Sequence, residues 1–447
     1  MLGPSSCARP RAVCPVQDRG SVSVHPMVKP AVRRGWRDAR TLQFGVDPAR
    51  AVLMEHVDRT TERLLGLLDG TRSVERVREE AGLLGLDPQR ADRLLDLLAE
   101  HGVLDDTESL RDLVRGPGAP PAAALDRLRP DLASLSVVHP APGAAGAVMA
   151  ARRAAVVQVR GAGRVGAAVA ALLSAAGVGT VEPVDEGRSD PWDVSPCGIA
   201  AEDVGRQRTL AARGAVRRAA PDPRAAVRAR RARQAEQAGR EEQAGREGWA
   251  ERTGRAGDAP GHGRPCAAGG ARSSSASPAL VVFAPRDGLA AWAPDPAAAA
   301  GLVESGVPHL YAGVVEGLGL VGPLVVPGGS ACAGCLELRA SEEDPARPRL
   351  LAQLRSGRSS GVPACDTALA TTVAGLTALH ALAFLDGGVP VSVGARTRLS
   401  LAGLDTAVQR VEPHPRCPCS RARGPEGGRA DRTTPTSQGR PERGAHV

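Results

Sequence analysis

Lysine is almost missing from this chain. Lys29 is the only one among 57 basic residues, so arginine carries nearly all the positive charge. Aromatic residues are as scarce, at 2% of the sequence, and a hydrophobic core has to be assembled from Ala, Val and Leu. Together with abundant Gly and Pro, this bias fits coding from a GC-rich genome and says little about chemistry.

The net charge of +8 suggests nucleic acid, but its location argues otherwise. Between Arg206 and Arg272 there are 16 Arg against 7 acidic residues, which leaves the remainder near neutral. That stretch holds one aromatic residue, Trp249, where single-strand binding needs stacking platforms. It reads as a solvated linker, and no nucleic-acid partner is expected. A charged-then-apolar secretory leader is also lacking. Nine cysteines without such a leader point to a reducing cytoplasm and to metal ligation rather than disulfides. The one apolar run of spanning length, Thr367 to Leu385, includes four Thr, a Gly and a His. It reads as a buried helix, with no membrane association expected.

The length of 447 residues allows two or three domains. Residues 1–26 lack periodicity and read as a disordered or artefactual start, with Met27 a second candidate for initiation. Residues 27–106 form a compact α+β module. Leu42-Gln-Phe44 and Ala51-Val-Leu-Met54 predict short strands, followed by helices from about Thr60, after Ser73 and from Asp87-Pro88. Ser73 and Asp87 are N-cap residues, and Pro88 suits a first helical position. Two strands packed on three helices make a winged-helix-like arrangement. Residues 107–150 read as a linker and helical lead-in. A nucleotide-binding α/β domain follows in two halves, 151–212 and 278–420, around a disordered insertion at 213–277 that repeats Gln-Ala-Gly-Arg-Glu at 237–241 and 243–247. Residues 421–447 read as a disordered tail.

Two motifs carry the chemistry. Ala154 to Val159 is a continuous apolar run, as expected of a strand buried on both faces. It enters Gly161-Ala-Gly-Arg-Val-Gly166, then a helix with Val165, Val169, Leu172 and Leu173 on its inner face. A second strand, Thr180 to Val184, delivers Asp185. Glycines let the backbone approach a phosphate, the helix N-terminus offers free N–H groups, and Asp185 sits where an acid can hold ribose hydroxyls. The competing reading is a glycine turn that serves tight packing alone. The second motif is Cys332-Ala-Gly-Cys335 answered by Cys417-Pro-Cys419. Four thiolates satisfy Zn²⁺ tetrahedrally and close the site to water, which marks a structural role. His414 is an alternative ligand if the short Cys-Pro-Cys loop is strained. Cys365, ahead of the Thr367 run, is a candidate nucleophile or a passive thiol. Cys197 and Cys266 look incidental, and His309 reads as a core histidine.

Val159 through Asp185, with Ala176-Gly-Val-Gly179 leading into Val184-Asp185, resembles the ThiF/MoeB/HesA family, relatives of ubiquitin-activating enzymes. Val307-Pro-His-Leu310, Gly322-Pro-Leu-Val-Val-Pro327 as a crossover, the Thr367–Leu385 helix and His414-Pro-Arg-Cys-Pro-Cys419 follow in family order. The resemblance implies a Rossmann-like ThiF-type domain with a structural zinc site. It also implies ATP and Mg²⁺ as cofactors and adenylation of a carboxylate on a ribosomally made peptide or small carrier protein. Carried over, Gly161, Gly163 and Gly166 face the phosphates and Asp185 the ribose. Asp193 falls on an Asn near the phosphates, and Arg208 on a phosphate-binding Lys. Asp287 is the acid nearest the magnesium-associated Asp, one residue out of register, and Pro196 falls on a phosphate-binding Arg. Arg208 and Asp287 are the catalytic candidates. The 27–106 module resembles the peptide-recognition element of ribosomal-peptide maturation enzymes, which binds a leader peptide as an added strand. A similar layout occurs in actinobacterial ThiF-like proteins of azole formation. There the alternative role is a catalytically degenerate protein that presents the precursor to a YcaO-type cyclodehydratase. The family also implies a homodimer.

Overall fold

The computed structural model describes residues 25–115, 119–223, 277–357, 362–420 and 445–446. Most of residues 1–26, residues 224–276 with the repeat, and residues 421–444 lie outside the described residues, as do Cys7, Cys14 and Cys266; residues 213–219, read from sequence as the start of the insertion, are instead part of a helix that begins at Arg208. The chain divides into two compact units: residues 1–154, 382–390 and 421–447, and residues 155–381 and 391–420.

In the first unit, β1 (Pro26–Val28) pairs antiparallel with β5 (Leu104–Asp106). A meander of β2 (Arg34–Trp36), β3 (Leu42–Phe44) and β4 (Val52–Met54) forms a second, antiparallel sheet, with Ala445–His446 added in parallel beside β4. β1 and β5 do not stand out in the sequence because each is paired only with the other, far along the chain, and β2 lacks the apolar residues that mark β3 and β4. The helices α1 (Arg59–Leu67), α2 (Val74–Leu83) and α3 (Pro88–Glu100) begin where their caps place them. Asp58, Ser73 and Asp87 each accept a bond from the backbone N–H three residues on. The inner faces of these helices meet Phe44 and Met54 in one apolar cluster around Leu64, Val77 and Leu98.

Helices α4 (Thr107–Arg115), α5 (Ala122–Val138) and α6 (Ala144–Ala154) follow. The chain's one lysine is buried here. Lys29 Nζ donates to the carbonyls of Ser136 at 2.7 Å and Pro140 at 2.8 Å, at the C-terminal end of α5, where a cation also meets the favourable end of the helix dipole. Burial lowers the Lys29 pKa, and the nearby Asp105 offsets part of that shift. Arg152 of α6 forms a two-pronged ion pair with Asp386, both side chains over nine-tenths buried.

The second unit is a seven-stranded sheet in the order β12-β11-β10-β9-β8-β6-β7. Strands β6 (Val156–Arg160), β7 (Thr180–Val184), β8 (Leu280–Phe283) and β9 (His309–Val315) run parallel. Strands β10 (Leu318–Val325), β11 (Ala395–Ser400) and β12 (Thr406–Arg410) continue it antiparallel. Helix α7 (Arg164–Ala175) joins β6 to β7 and packs with α8 (Arg208–Ala219). The path from β6 goes first to β7 on one side and later to β8 on the other. That reversal opens a crevice above the carboxyl end of β6, where doubly wound sheets bind ligands.

Gly322 to Val325, read from sequence as part of a crossover, is instead the second half of β10. After it come α9 (Ala333–Glu343), α10 (Arg347–Ser356) and α11 (Thr367–Leu385). Among the described residues α11 alone is long and apolar enough to cross a bilayer, and 44% of it is buried within the protein. Its buried face presents Leu369 and Val373 to β10, where a Cβ on Gly319 would lie 2.6 Å from Val373.

Candidate functional site

The turn after β6 is built for closeness. Gly161 has φ +105°, and a Cβ there would lie 2.0 Å from the Ala284 carbonyl oxygen, just past β8. A Cβ on Gly166 would lie 2.1 Å from the Gly161 carbonyl oxygen. These two glycines therefore seat the turn against its own helix and the neighbouring strand. Gly163 differs: a Cβ there would meet the Arg286 side chain, with Cγ at 3.1 Å. It is the N-cap of α7, with no side-chain cap, so the first amides of the helix are left for a ligand.

Asp185, at the end of β7, folds back over this turn. Its carboxylate accepts from Ala162 N at 2.6 Å and from Arg208 Nε at 3.0 Å. Arg208, at the start of α8, also donates to the carbonyls of Arg188 at 2.7 Å and Glu186 at 2.5 Å. Thr209 ties the same loop, its hydroxyl donating to Asp185 O at 2.6 Å and accepting from Asp185 N at 2.9 Å. Asp193 is buried; it accepts from Asp190 N at 2.9 Å and from Arg286 Nε at 2.8 Å. Arg286 also pairs with Asp190 and lies over the Trp192 ring, 5.8 Å from its centre. The glycines, Asp185, Asp193 and Arg208 thus come together, as the sequence pattern expects. Asp287 stays apart: it is exposed, and its carboxylate accepts from Leu289 N at 3.0 Å. Pro196 is exposed as well.

A cleft of about 380 Å³ opens beside the turn, lined by Gly161, Asp185, Phe283, Pro285, Arg286 and Tyr311, among others. That volume lies within the usual range for a small-molecule site. Its wall is a stacked pair, Phe283 and Tyr311, with ring centres 5.0 Å apart and planes 11° from parallel, and the Arg160 guanidinium lies 5.3 Å over Phe283. The Tyr311 hydroxyl is buried without a hydrogen-bond partner among the described residues. Burial raises its pKa well above the ordinary value, so it is a donor at any physiological pH. His309 closes the stack edge-on, bonding the Val307 carbonyl through Nδ1 at 3.1 Å, while Nε2 has no partner among the described residues. A narrower recess on the other side of Arg286 touches Gly163, Trp192, Asp193 and Cys365. The Trp192 indole N–H is a further buried donor with no partner among the described residues. The sequence gives no sign of Arg286, Tyr311 or Trp192, because only the β8–β9 pairing and the 190–193 turn carry them to the glycine turn.

Cys365 lies in this recess, where burial raises its thiol pKa despite the nearby Arg164. Its carbonyl accepts from Arg164 Nη1 at 2.8 Å. A raised pKa keeps the thiol protonated and weakly nucleophilic, in keeping with a passive role. Cys197 is exposed.

The carboxylates present do not fit Mg²⁺, which takes octahedral oxygen ligands. Asp185 is engaged by Arg208, and Asp190 and Asp193 by Arg286; Asp295, on the cleft lining, and Asp287 are exposed, and each caps a backbone amide two residues on. The residues do fit zinc. Cys332, Cys335, Cys417 and Cys419 bring their sulfurs within 4.8 Å of one another, with pairs at 3.9, 3.5 and 3.3 Å. Tetrahedral Zn–S bonds of about 2.3 Å set sulfurs about 3.8 Å apart. His414 is outside the set: its Nδ1 accepts from Arg416 N and its Nε2 faces Glu342 at 3.0 Å.

The ThiF family model matches residues 141–244, a span that holds the glycine turn, Asp185 and Arg208. That part of the chain is ThiF-like. Among solved structures the chain is similar to E. coli MccB bound to MccA, at 14% identity and a TM-score of 0.56 over 88% of this chain and 99% of that one. MccB bound to ATP gives 15% identity and a TM-score of 0.55 over the same shares. A heterocyclase in complex with substrate and cofactor gives 16% identity and a TM-score of 0.50, over 88% of this chain but 39% of that one. At such identities the likeness is one of fold. A comparison with curated proteins finds no match.

Proposed function

We propose that this chain is a ThiF-like adenylyltransferase that binds ATP and activates a carboxylate of a ribosomally made peptide. The observation that carries this reading lies at the end of β6: Gly161 and Asp185 line the cleft, and the uncapped N-terminus of α7 at Gly163 lines the recess next to it, with Arg286 bordering both. There the ribose hydroxyls bond Asp185, and the phosphates lie against Gly163 and the first amides of α7. The substrate carboxylate attacks the α-phosphorus, forming an acyl-adenylate and releasing pyrophosphate. Arg286 and Arg208 are the cations within reach of the charge that develops.

The likeness to the microcin C7 biosynthetic enzyme MccB, solved with N-formylated MccA, supports a peptide substrate. So does the first unit, whose β2 edge carries no strand partner among the described residues and can take a leader peptide by strand addition. A small carrier protein is the other substrate this chemistry suits. A second reading has one observation in its favour: Asp185, Asp190 and Asp193 are each already paired with an arginine. On that reading the chain holds a precursor peptide and presents it to a YcaO-type cyclodehydratase. Peptide-dependent ATP–pyrophosphate exchange distinguishes the two. Exchange that Asp185→Ala abolishes supports the adenylyltransferase; tight peptide binding with no exchange supports the presenting role.

A further inference from the structure

The carboxylates around the glycine turn are bound to guanidinium groups instead of standing free, and one arginine does most of this. Arg286 is the second residue after Ala284, whose carbonyl packs on Gly161. Its side chain crosses the turn above Gly163, its Nε meets Asp193 at 2.8 Å, and its far end pairs with Asp190. It lines both the larger cleft and the narrower recess, so it stands between the two spaces that a ligand on this turn would enter. Trp192 lines the recess and Tyr311 the cleft. The site therefore offers the uncapped amides of α7 and a guanidinium. Of the nearby carboxylates, Asp185, Asp190 and Asp193 are held by arginines, and Asp295 alone is held only by a backbone amide, too little to form an oxygen cage for a divalent cation.

Resting on the nucleotide-binding part of the function proposed above, we propose that this cleft holds a nucleotide phosphate through Arg286 and without a divalent cation. A planar guanidinium forms two parallel bonds to a phosphate, as it does to a carboxylate. A phosphate entering beside Gly163 exchanges the Asp190 contact for its own oxygens, while Asp193, buried and bonded to Asp190 N, keeps Nε in place. Asp287, one residue on, caps the Leu289 amide and lines neither space. Arg286 thus supplies from the loop after β8 the positive charge that Pro196 cannot supply from the loop after β7.

The test is equilibrium binding of ATP and of AMP to the full-length protein by titration calorimetry, in Mg²⁺ and again in EDTA. The expected result is an ATP affinity that differs by less than about threefold between the two conditions. AMP binding should persist, and Arg286→Gln should weaken both ligands about tenfold or more, the scale of losing a charge-assisted bidentate contact. Arg286→Lys, which keeps the charge and loses the fork, should fall in between. Wild-type ATP binding that drops tenfold or more in EDTA overturns this inference and leaves the nucleotide reading standing. Metal-independent binding unchanged in Arg286→Gln also overturns it. Absence of nucleotide binding under both conditions overturns both. The wild-type comparison decides the question of the cation even if the variants fail to fold.

Discussion

Asp185 and Arg208, which arrive from the end of β7 and the start of α8, meet at 3.0 Å with both side chains nearly nine-tenths buried. The acid that suits a ribose and the cation that aligns with a phosphate-binding lysine are thus each other's partners. The pair also sets the loop between them, because Arg208 donates to two carbonyls within it.

Replacing Arg208 therefore tests loop order as well as charge. Arg208→Lys retains the positive charge but cannot reach the Asp185 carboxylate and both carbonyls at once. Two lost bonds at about 1 kcal/mol each suggest a stability cost of about 1–2 kcal/mol. Chemical denaturation would show it as a lower midpoint with an unchanged slope, alongside weaker nucleotide binding.

The three glycines separate packing from ligand contact. Gly161→Ala puts a Cβ 2.0 Å from a backbone oxygen at a positive φ, so little can relax. A loss of about 3 kcal/mol or more, read as a fall in melting temperature, is expected. Gly163→Ala meets a flexible arginine stem at 3.1 Å instead. It should leave the melting temperature within about 3 °C of wild type, yet weaken nucleotide binding about tenfold. Equal effects in the two variants would assign all three glycines to packing.

The cysteine cluster predicts one zinc per chain by elemental analysis. Removing it with a strong chelator, or changing Cys335 to Ser, should lower the melting temperature, since a structural site contributes directly to folding. His414→Ala should leave the zinc content unchanged, because that histidine faces Glu342 and the Arg416 amide.

Buried His309 makes stability depend on pH. Burial lowers its pKa below the ordinary 6.5. The unfolded chain then binds more protons than the folded one as pH falls below 6.5, and stability is lost down to the lowered folded value. His380, lowered by the same cause, adds to this. Melting curves from pH 7.5 to about pH 5 should fall in wild type and fall less steeply in His309→Leu.

Much of the site was legible along the chain because its first half is continuous. Strand, glycine turn, helix, strand and acid lie between Val156 and Asp185, and Arg208 follows soon after. The cysteine set was legible through its pairwise spacing. Arg286, Tyr311 and Trp192 were not. Each is unremarkable among its neighbours and gains its position from the β8–β9 pairing or from the turn at 191–193. The small strands β1 and β5 escaped for a similar reason, since they pair with each other across the whole helical part of the unit rather than showing a local pattern.

A crystal structure of the full chain grown with ATP and the chelator together tests the central claim most directly. The account predicts ribose oxygens on Asp185 and a phosphate between Gly163 and Arg286, with the Arg286–Asp190 contact broken. A nucleotide bound elsewhere, or a cleft in which Arg286 still holds both aspartates at saturating ATP, would contradict it.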